Sequence, residues 1–274
     1  MKNCSGVMCV IACPMLEDEL IYNLIMDPEK KNIYLVDSKP SKSLKEKLNK
    51  NSISYSLIDE YSFMNGIDHI DKEEFNIVIL MNDLGLHEEP KELKEKLEEQ
   101  VLFLNGKYDV IAFYYGTCGN AMWDLSKFAA EHNMETSVLI FRDNEDKVCD
   151  DCVGVAVGGQ KQYIKLLKTY TGMLLTTPAI ATNWEDFLMA SDMMKGTKGD
   201  INMMKWLFEL CGYKYAVKID TGLGDREKYQ SSAEDMCREM NLELIDAEGE
   251  WTTLEPTKRL YRESKAAIRM RSTS

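Results

Sequence analysis

The 274-residue sequence has no apolar run approaching the roughly 18 to 20 residues that span a bilayer, which argues against insertion in a membrane. Positive charge is scarce as well. The 33 Lys and Arg stand against 46 Asp and Glu, a formal net charge of −13, so no broad footprint for nucleic-acid phosphates is expected. Histidine is nearly missing: His69, His87 and His132 all fall in polar segments, and none is expected as a ligand or base. Neither a GxGxxG fingerprint nor a Walker A sequence occurs, and there is no low-complexity linker or internal repeat. Residues 6–12 are too short for a secretion signal and run into Pro14 and the acidic Glu17-Asp18-Glu19 without a cleavage pattern. They read as a first core strand, and a cytoplasmic location is expected.

What is present is the grammar of an α/β protein. Short β-branched runs at residues 7–12, 32–36, 52–58, 76–81, 108–115 and 136–141 alternate with helical patterns. Leu93, Leu97, Val101 and Leu104 repeat at helical spacing behind Pro90, which suits a first helical turn. Further strands are expected at 173–176, 215–219 and 242–245. Further helices are expected around 184–194 and 202–210, along the face Tyr229, Ala233, Met236 and Met240, and at 255–270. Such alternation predicts a doubly wound, mostly parallel sheet with helices on both faces, because right-handed crossovers need a helix to return the chain. One domain over residues 1–274 is expected, with two pseudo-lobes meeting near residue 172 and a hinge candidate at Lys195-Gly196-Thr197-Lys198-Gly199.

Eight cysteines without a secretion signal read as reduced thiols or metal ligands rather than as a disulfide framework. Cys9, Cys211 and Cys237 lie in apolar patterns and are expected to pack as small hydrophobes, whereas Cys4 lies near the terminus. Cys13, Cys118 and Cys152 are different: each follows a strand-like run. The carboxyl ends of parallel neighbours share a crevice, so these three are expected to converge. Cys13 precedes Pro14, Cys118 sits between Gly116 and Gly119 in a turn that allows close approach to a ligand, and Cys149-Asp150-Asp151-Cys152 is a CxxC pair. That pair can hold a metal or form a redox disulfide. The surrounding Asp143, Glu145, Asp146, Asp150 and Asp151 raise thiol pKa values and oppose an activated thiolate, a penalty that a cation reverses. Zinc or an iron–sulfur cluster is therefore expected on Cys13, Cys118 and Cys152, with Cys149 as fourth ligand or near neighbour and Asn120 and Asp151 orienting ligand or substrate.

Two other features bear on a cofactor. Gly158 and Gly159 precede a helix, where they either hold an anion or cofactor or allow close packing. Tyr114, Tyr115, Trp123, Trp184 and Trp251 either wall a site for a planar cofactor or fill the core. Residues 220–225 follow a strand and either reach the crevice or simply turn.

The stretch Tyr115-Gly116-Thr117-Cys118-Gly119-Asn120, followed by Asp151-Cys152 and then by Gly158-Gly159-Gln160-Lys161-Gln162-Tyr163, resembles the DUF1638 family of uncharacterised proteins. The resemblance extends to an early strand ending in cysteine, here Cys13, and to an acidic segment before a tryptophan, here Glu248-Gly249-Glu250-Trp251. Asp150 stands where the family carries histidine, with Cys149 added before it, which implies a ligand swap or an altered ligand set. By association, the resemblance implies the company of corrinoid-dependent methyltransferase systems that demethylate methylamines, betaines or related compounds. A corrinoid cofactor and a small-molecule or corrinoid-protein partner follow from it as expectations. The expected role is methyl or electron transfer by a cysteine-ligated metalloprotein. The alternatives are a non-catalytic binding or maturation protein and a structural cysteine cluster with the function elsewhere. Nothing in the pattern specifies an oligomeric state.

Overall fold

The protein is described here by a computed structural model that covers residues 4–67, 70–120, 122–190, 196 and 200–271. The first half alternates strictly: β1 (Gly6–Ala12), α1 (Glu17–Met26), β2 (Asn32–Val36), α2 (Lys42–Lys50), β3 (Ser56–Ile58), α3 (Glu60–Asn65), β4 (Phe75–Met81), α4 (Pro90–Leu104), β5 (Val110–Tyr114), α5 (Leu125–Glu131) and β6 (Ser137–Ile140). Its six strands form one sheet in the order β3-β2-β4-β1-β5-β6, with every neighbouring pair parallel. The fold is a doubly wound α/β architecture, as the alternation predicts.

β1 and β4 are buried along their whole length, which explains their unbroken apolar sequences, because a parallel sheet is covered on both faces. Side chains alternate across β1. Val7, Cys9 and Ile11 pack in one layer with Leu93, Leu97, Val101 and Leu104 of α4, while Met8, Val10 and Ala12 pack in the other with Leu20 and Leu24 of α1 and Leu44 and Leu48 of α2. The chain leaves β1 toward β2 and leaves β5 toward β6. The carboxyl ends of β1 and β5, neighbours in the sheet, therefore diverge at a topological switch point, where α/β sheets bind ligands.

The second half builds a smaller sheet. After α6 (Cys152–Val157) and α7 (Gln160–Thr169) come β7 (Met173–Thr176), α8 (Pro178–Thr182), α9 (Trp184–Ala190), α10 (Ile201–Leu210), β8 (Tyr215–Lys218), α11 (Arg226–Met240) and β9 (Glu243–Asp246). These strands pair in parallel in the order β7-β8-β9. The last helix, α12 (Glu255–Arg271), returns to the first sheet and adds Leu260, Tyr261, Ala267 and Ile268 to the layer that holds Met8 and Val10. Lys265 and Tyr261 both reach Asp27 at 2.8 Å, and Arg269 reaches Glu29 at 2.6 Å, which fixes the returning helix beside the loop after α1.

Some local expectations change. The run at 52–58 pairs only over Ser56–Ile58, because Ser52 takes a left-handed turn at φ +55° and the Ile53 amide closes back onto the Leu48 carbonyl. Cys9 and Cys237 are buried as expected, but Cys211 is exposed: Met204 and Phe208 carry the inward face of α10, and Cys211 follows its last turn. Cys4 is buried, its amide donating to Glu29 at 2.9 Å. The hinge candidate lies outside the described residues apart from Gly196. Among the described residues, no helix is long and apolar enough to cross a membrane.

Candidate functional site

Cys13 ends β1, its amide donating to the Tyr114 carbonyl at 3.1 Å, and Pro14 turns the chain away into a short 3-10 turn. The loop after β5 is laid against residues 149–151 by three hydrogen bonds. Thr117 N–H donates to the Cys149 carbonyl at 3.0 Å, Cys118 N–H to the Asp150 carbonyl at 2.6 Å, and the Thr117 hydroxyl to the same carbonyl at 3.1 Å. Gly116 permits this approach: a Cβ there would lie 2.7 Å from the Asp151 backbone. Cys118 itself holds a left-handed conformation at φ +45°, uncommon for a side-chain-bearing residue. Cys152 opens α6, whose N-terminus is capped by Asp151. One carboxylate oxygen of Asp151 accepts from Gly154 N–H at 2.7 Å, and the other accepts from the Tyr163 hydroxyl at 3.1 Å.

These elements bring Cys13, Cys118 and Cys152 to one cavity of about 680 Å3 between the two sheets. Tyr115, Asp150 and Asp151 share their side. Leu167, Met173, Leu175, Ile180, Phe187 and Tyr213 come from the second half of the chain. No Lys, Arg or His among the described residues lines the cavity.

Burial pushes the Cys13 thiol up to about 12, against a downward pull from the Met15 amide, and an upward contribution from Glu17 follows. Burial raises Cys118 and Cys152 too. A negative charge on Cys13 opposes ionisation of both, and Asp151 adds to the effect. The three thiols thus feel one another's charge, and without a cation they stay protonated at neutral pH. They converge on one cavity without closing on a point: among the described residues, no three His, Cys, Asp or Glu side chains stand as a ready metal-binding group.

Cys149 does not join them. It continues an extended segment whose amide donates to the Phe141 carbonyl at 3.0 Å, and its side chain is buried in the opposite layer with Phe141 and Tyr114. Burial, then Asp143, Asp150 and Asp151, pushes its thiol up to about 12. The CxxC spacing therefore straddles a change from extended backbone to helix, which aims the two sulfurs apart. Asn120 is committed to the scaffold rather than to the cavity: its amide donates to the Pro90 carbonyl at 2.7 Å and to the Thr117 carbonyl at 3.2 Å. Gly119, at φ +88°, leaves room for Pro90. Gly158 and Gly159 are likewise packing glycines outside the cavity lining, since a Cβ would meet Thr253 at 2.5 Å and Asp143 at 2.4 Å respectively.

Of the five aromatics singled out in the sequence, Tyr115 lines the cavity. Tyr114 faces the other layer and accepts from Asn23 at 2.8 Å, Trp123 donates to Glu98 at 3.0 Å, Trp184 packs with the core of the second half, and Trp251 meets Tyr170 edge-on. Residues 222–225 line a separate cleft against α1 and α2. His132 is exposed, while His69 and the side chain of His87 lie outside the described residues. Sequence reasoning missed Tyr163, Phe187 and Tyr213 as cavity residues. The Tyr115 hydroxyl is buried without a hydrogen bond, beside an Asn82 amide that is paired with Gln100. Glu19 is also buried, with one unpartnered carboxylate oxygen, and burial pushes it up to about 7.

The family model described as "Protein of unknown function (DUF1638)" matches residues 81–257. That span holds the loop after β5, the Asp151-Cys152 turn and the whole smaller sheet, and leaves Cys13 outside. No curated protein and no solved structure matches the chain.

Proposed function

The chain belongs to the DUF1638 family, whose description carries no activity, and from that premise we propose that it binds a metal through Cys13, Cys118 and Cys152. The observation that carries this reading is the convergence of three thiols, Cys13 buried and Cys118 and Cys152 half-buried, on one cavity at the switch point of a doubly wound sheet. Thiols so placed disfavour ionisation singly and together, and a cation removes both penalties at once. A cysteine sulfur moves by rotation about a single torsion between staggered positions, and such rotations are what binding would require of these three.

The donor set suits zinc with three thiolates and one open position, or an iron–sulfur cluster with three cysteine ligands. Held by Cys13, Cys118 and Cys152, either would supply Lewis-acidic or electron-donating chemistry to this cavity. We assign it methyl or electron transfer linked to corrinoid-dependent one-carbon metabolism, the role that the family resemblance implies, with the corrinoid presented by a partner protein. The protein's own residues do the positioning: Gly116 and Thr117 lock the Cys118 loop, and Asp151 and Tyr163 fix the turn that carries Cys152. A cytoplasmic setting, where thiols stay reduced, fits eight free cysteines.

Anaerobic purification with iron, zinc and sulfide analysis and an absorption spectrum tests the proposal. About one metal centre per chain is expected, lost in a folded Cys118→Ser variant and retained in Cys149→Ser. Wild-type protein that holds no metal after anaerobic purification and reconstitution, or a Cys118→Ser variant that binds as wild type does, overturns it.

A further inference from the structure

We infer that the protein forms a homodimer through the outward face of α10, with two copies of the helix packed antiparallel about a two-fold axis between Trp206 and Leu207.

α10 is apolar on two sides. Asp200 caps its first turn, accepting from Asn202 and Met203 N–H at 2.9 and 3.3 Å. Met204 and Phe208, one turn apart, are buried and pack with Leu188, Ala216 and Met236. Met203, Trp206 and Leu210 follow one another at spacings of three and four along the other side, and they are 48%, 55% and 66% exposed. A helix lying on the surface of a monomer turns a polar side to water, whereas one that is apolar on opposite sides is covered on both. Tryptophan and methionine are also residues that interface cores favour.

Charge selects what covers this face. The net charge of −13 sets copies of the chain against one another over most of their surface. Residues 201–210 carry one lysine, Lys205, and one glutamate, Glu209, so the helix itself is neutral and two copies can meet there without that repulsion. An anionic membrane surface or a nucleic acid is repelled by the rest of the chain, and a cationic partner finds no charge on the stripe to attract it.

The order of the stripe is self-complementary. Antiparallel pairing about the stated axis sets Met203 against Leu210 of the second copy and Trp206 against Leu207 of the second copy, and symmetry repeats each contact. It also opposes the two helix dipoles and keeps the two Asp200 charges at opposite ends, where parallel pairing would bring like ends together. A contact built on one ten-residue helix is small, in the class below about 1,200 Å2 of total buried surface, so a dimer that dissociates in the micromolar range is expected. On its inner side Phe208 stacks on Tyr213 of the cavity lining, with ring centroids 4.8 Å apart, so the covered helix backs one wall of that cavity.

Sedimentation velocity of the full chain under reducing conditions, from about 1 to about 200 μM, tests this and should show the mass rising from that of one 31.4 kDa chain toward that of two. Trp206→Glu should weaken association more than tenfold without moving the melting temperature at low concentration, because it replaces a residue at the centre of the contact that is exposed in the monomer. Trp206→Phe should restore most of the association, and Met26→Glu, at an exposed apolar residue of α1, should leave it unchanged. The exposed Cys211 reads the orientation: the axis places it opposite residue 202 of the second copy, so at about 1.5 Å per residue the two Cys211 lie about 14 Å apart along the helices. A bismaleimide should therefore join them, and mild oxidation should not. A chain that stays monomeric up to the highest concentration, or a Trp206→Glu variant that associates as wild type does, overturns the inference, and a Cys211 disulfide overturns the antiparallel arrangement.

Discussion

Glu19 shows what burying a single carboxyl does to stability. It lies in the first turn of α1, buried to 6% exposure, and burial lifts its carboxyl from 4.5 to about 7, with Asp18 adding to the rise. Between those values the folded chain binds more protons than the unfolded chain, so stability falls as pH rises through this window and the full cost is present above it. A shift of this size corresponds to a cost on the order of 3 kcal/mol at pH 8. Glu19→Gln keeps the shape of the protonated acid and removes the ionisation. Urea unfolding should place wild type and variant together at pH 4 and the variant above wild type by about 2–3 kcal/mol at pH 8. Identical curves at both pH values would contradict the buried, raised carboxyl. At this scale the sequence was partly readable. Cys13 and Cys118 are legible because each follows a fully buried apolar strand, whereas Cys152 comes twelve residues after the partly exposed β6 and opens a helix. The placement of Cys149 in the opposite layer is not legible, because CxxC spacing does not reveal that its first member lies on extended backbone and its second on a helix. Tyr163, Phe187 and Tyr213 were invisible as site residues, since nothing local distinguishes a ring facing a cavity from a ring filling a core.

Among the elements, the loop after β5 matters most, because its close approach to residues 149–151 is made by backbone against backbone. A methyl group at residue 116 would sit 2.7 Å from the Asp151 backbone, which cannot yield as a flexible side chain can. Gly116→Ala should therefore cost about 1–3 kcal/mol through overpacking and separate Cys118 from Cys152, so that metal content falls along with stability. Asp151→Ala removes only the cap of α6 and the Tyr163 hydrogen bond, and should cost about 1 kcal/mol while leaving the loop in place. Denaturant titration and metal analysis of the two variants check the order. If Gly116→Ala proves the milder, the approach of the two segments is not what positions the thiols. The strands that need no partner to be recognised were legible: β1 and β4 as unbroken apolar runs, and α4 and α11 by their buried faces. The extent of β3 was not, because Asn51 and Ser52 close a turn with the end of α2 that competes with sheet pairing for the start of that run.

At the scale of the whole molecule, the chain order and the spatial order disagree at one place with consequences for folding. Residues 173–246 build the second sheet, yet α12 comes after them and packs in the core of the first. Parallel alternation in the sequence announced strands and helices but not this return, since an amphipathic helix reads the same wherever its apolar face is buried. Leu260 and Ile268 are 2% and 1% exposed, and at about 1.5–3 kcal/mol for each fully buried side chain they supply about 3–6 kcal/mol to a sheet they do not adjoin in sequence. That is a large part of the roughly 5–15 kcal/mol by which a domain is stable. Tyr261 and Lys265 on Asp27, with Arg269 on Glu29, would also be lost with the helix. A fragment ending at residue 172 should therefore fail to fold, even though it contains all six strands of the larger sheet and the three cysteines that line the cavity. Far-UV circular dichroism of that fragment, alone and with a peptide of residues 250–274 added, checks the expectation: little structure alone, and a gain of helix and cooperative melting on addition. A fragment that melts cooperatively by itself would show that the first sheet carries its own stability and that α12 serves the second half instead.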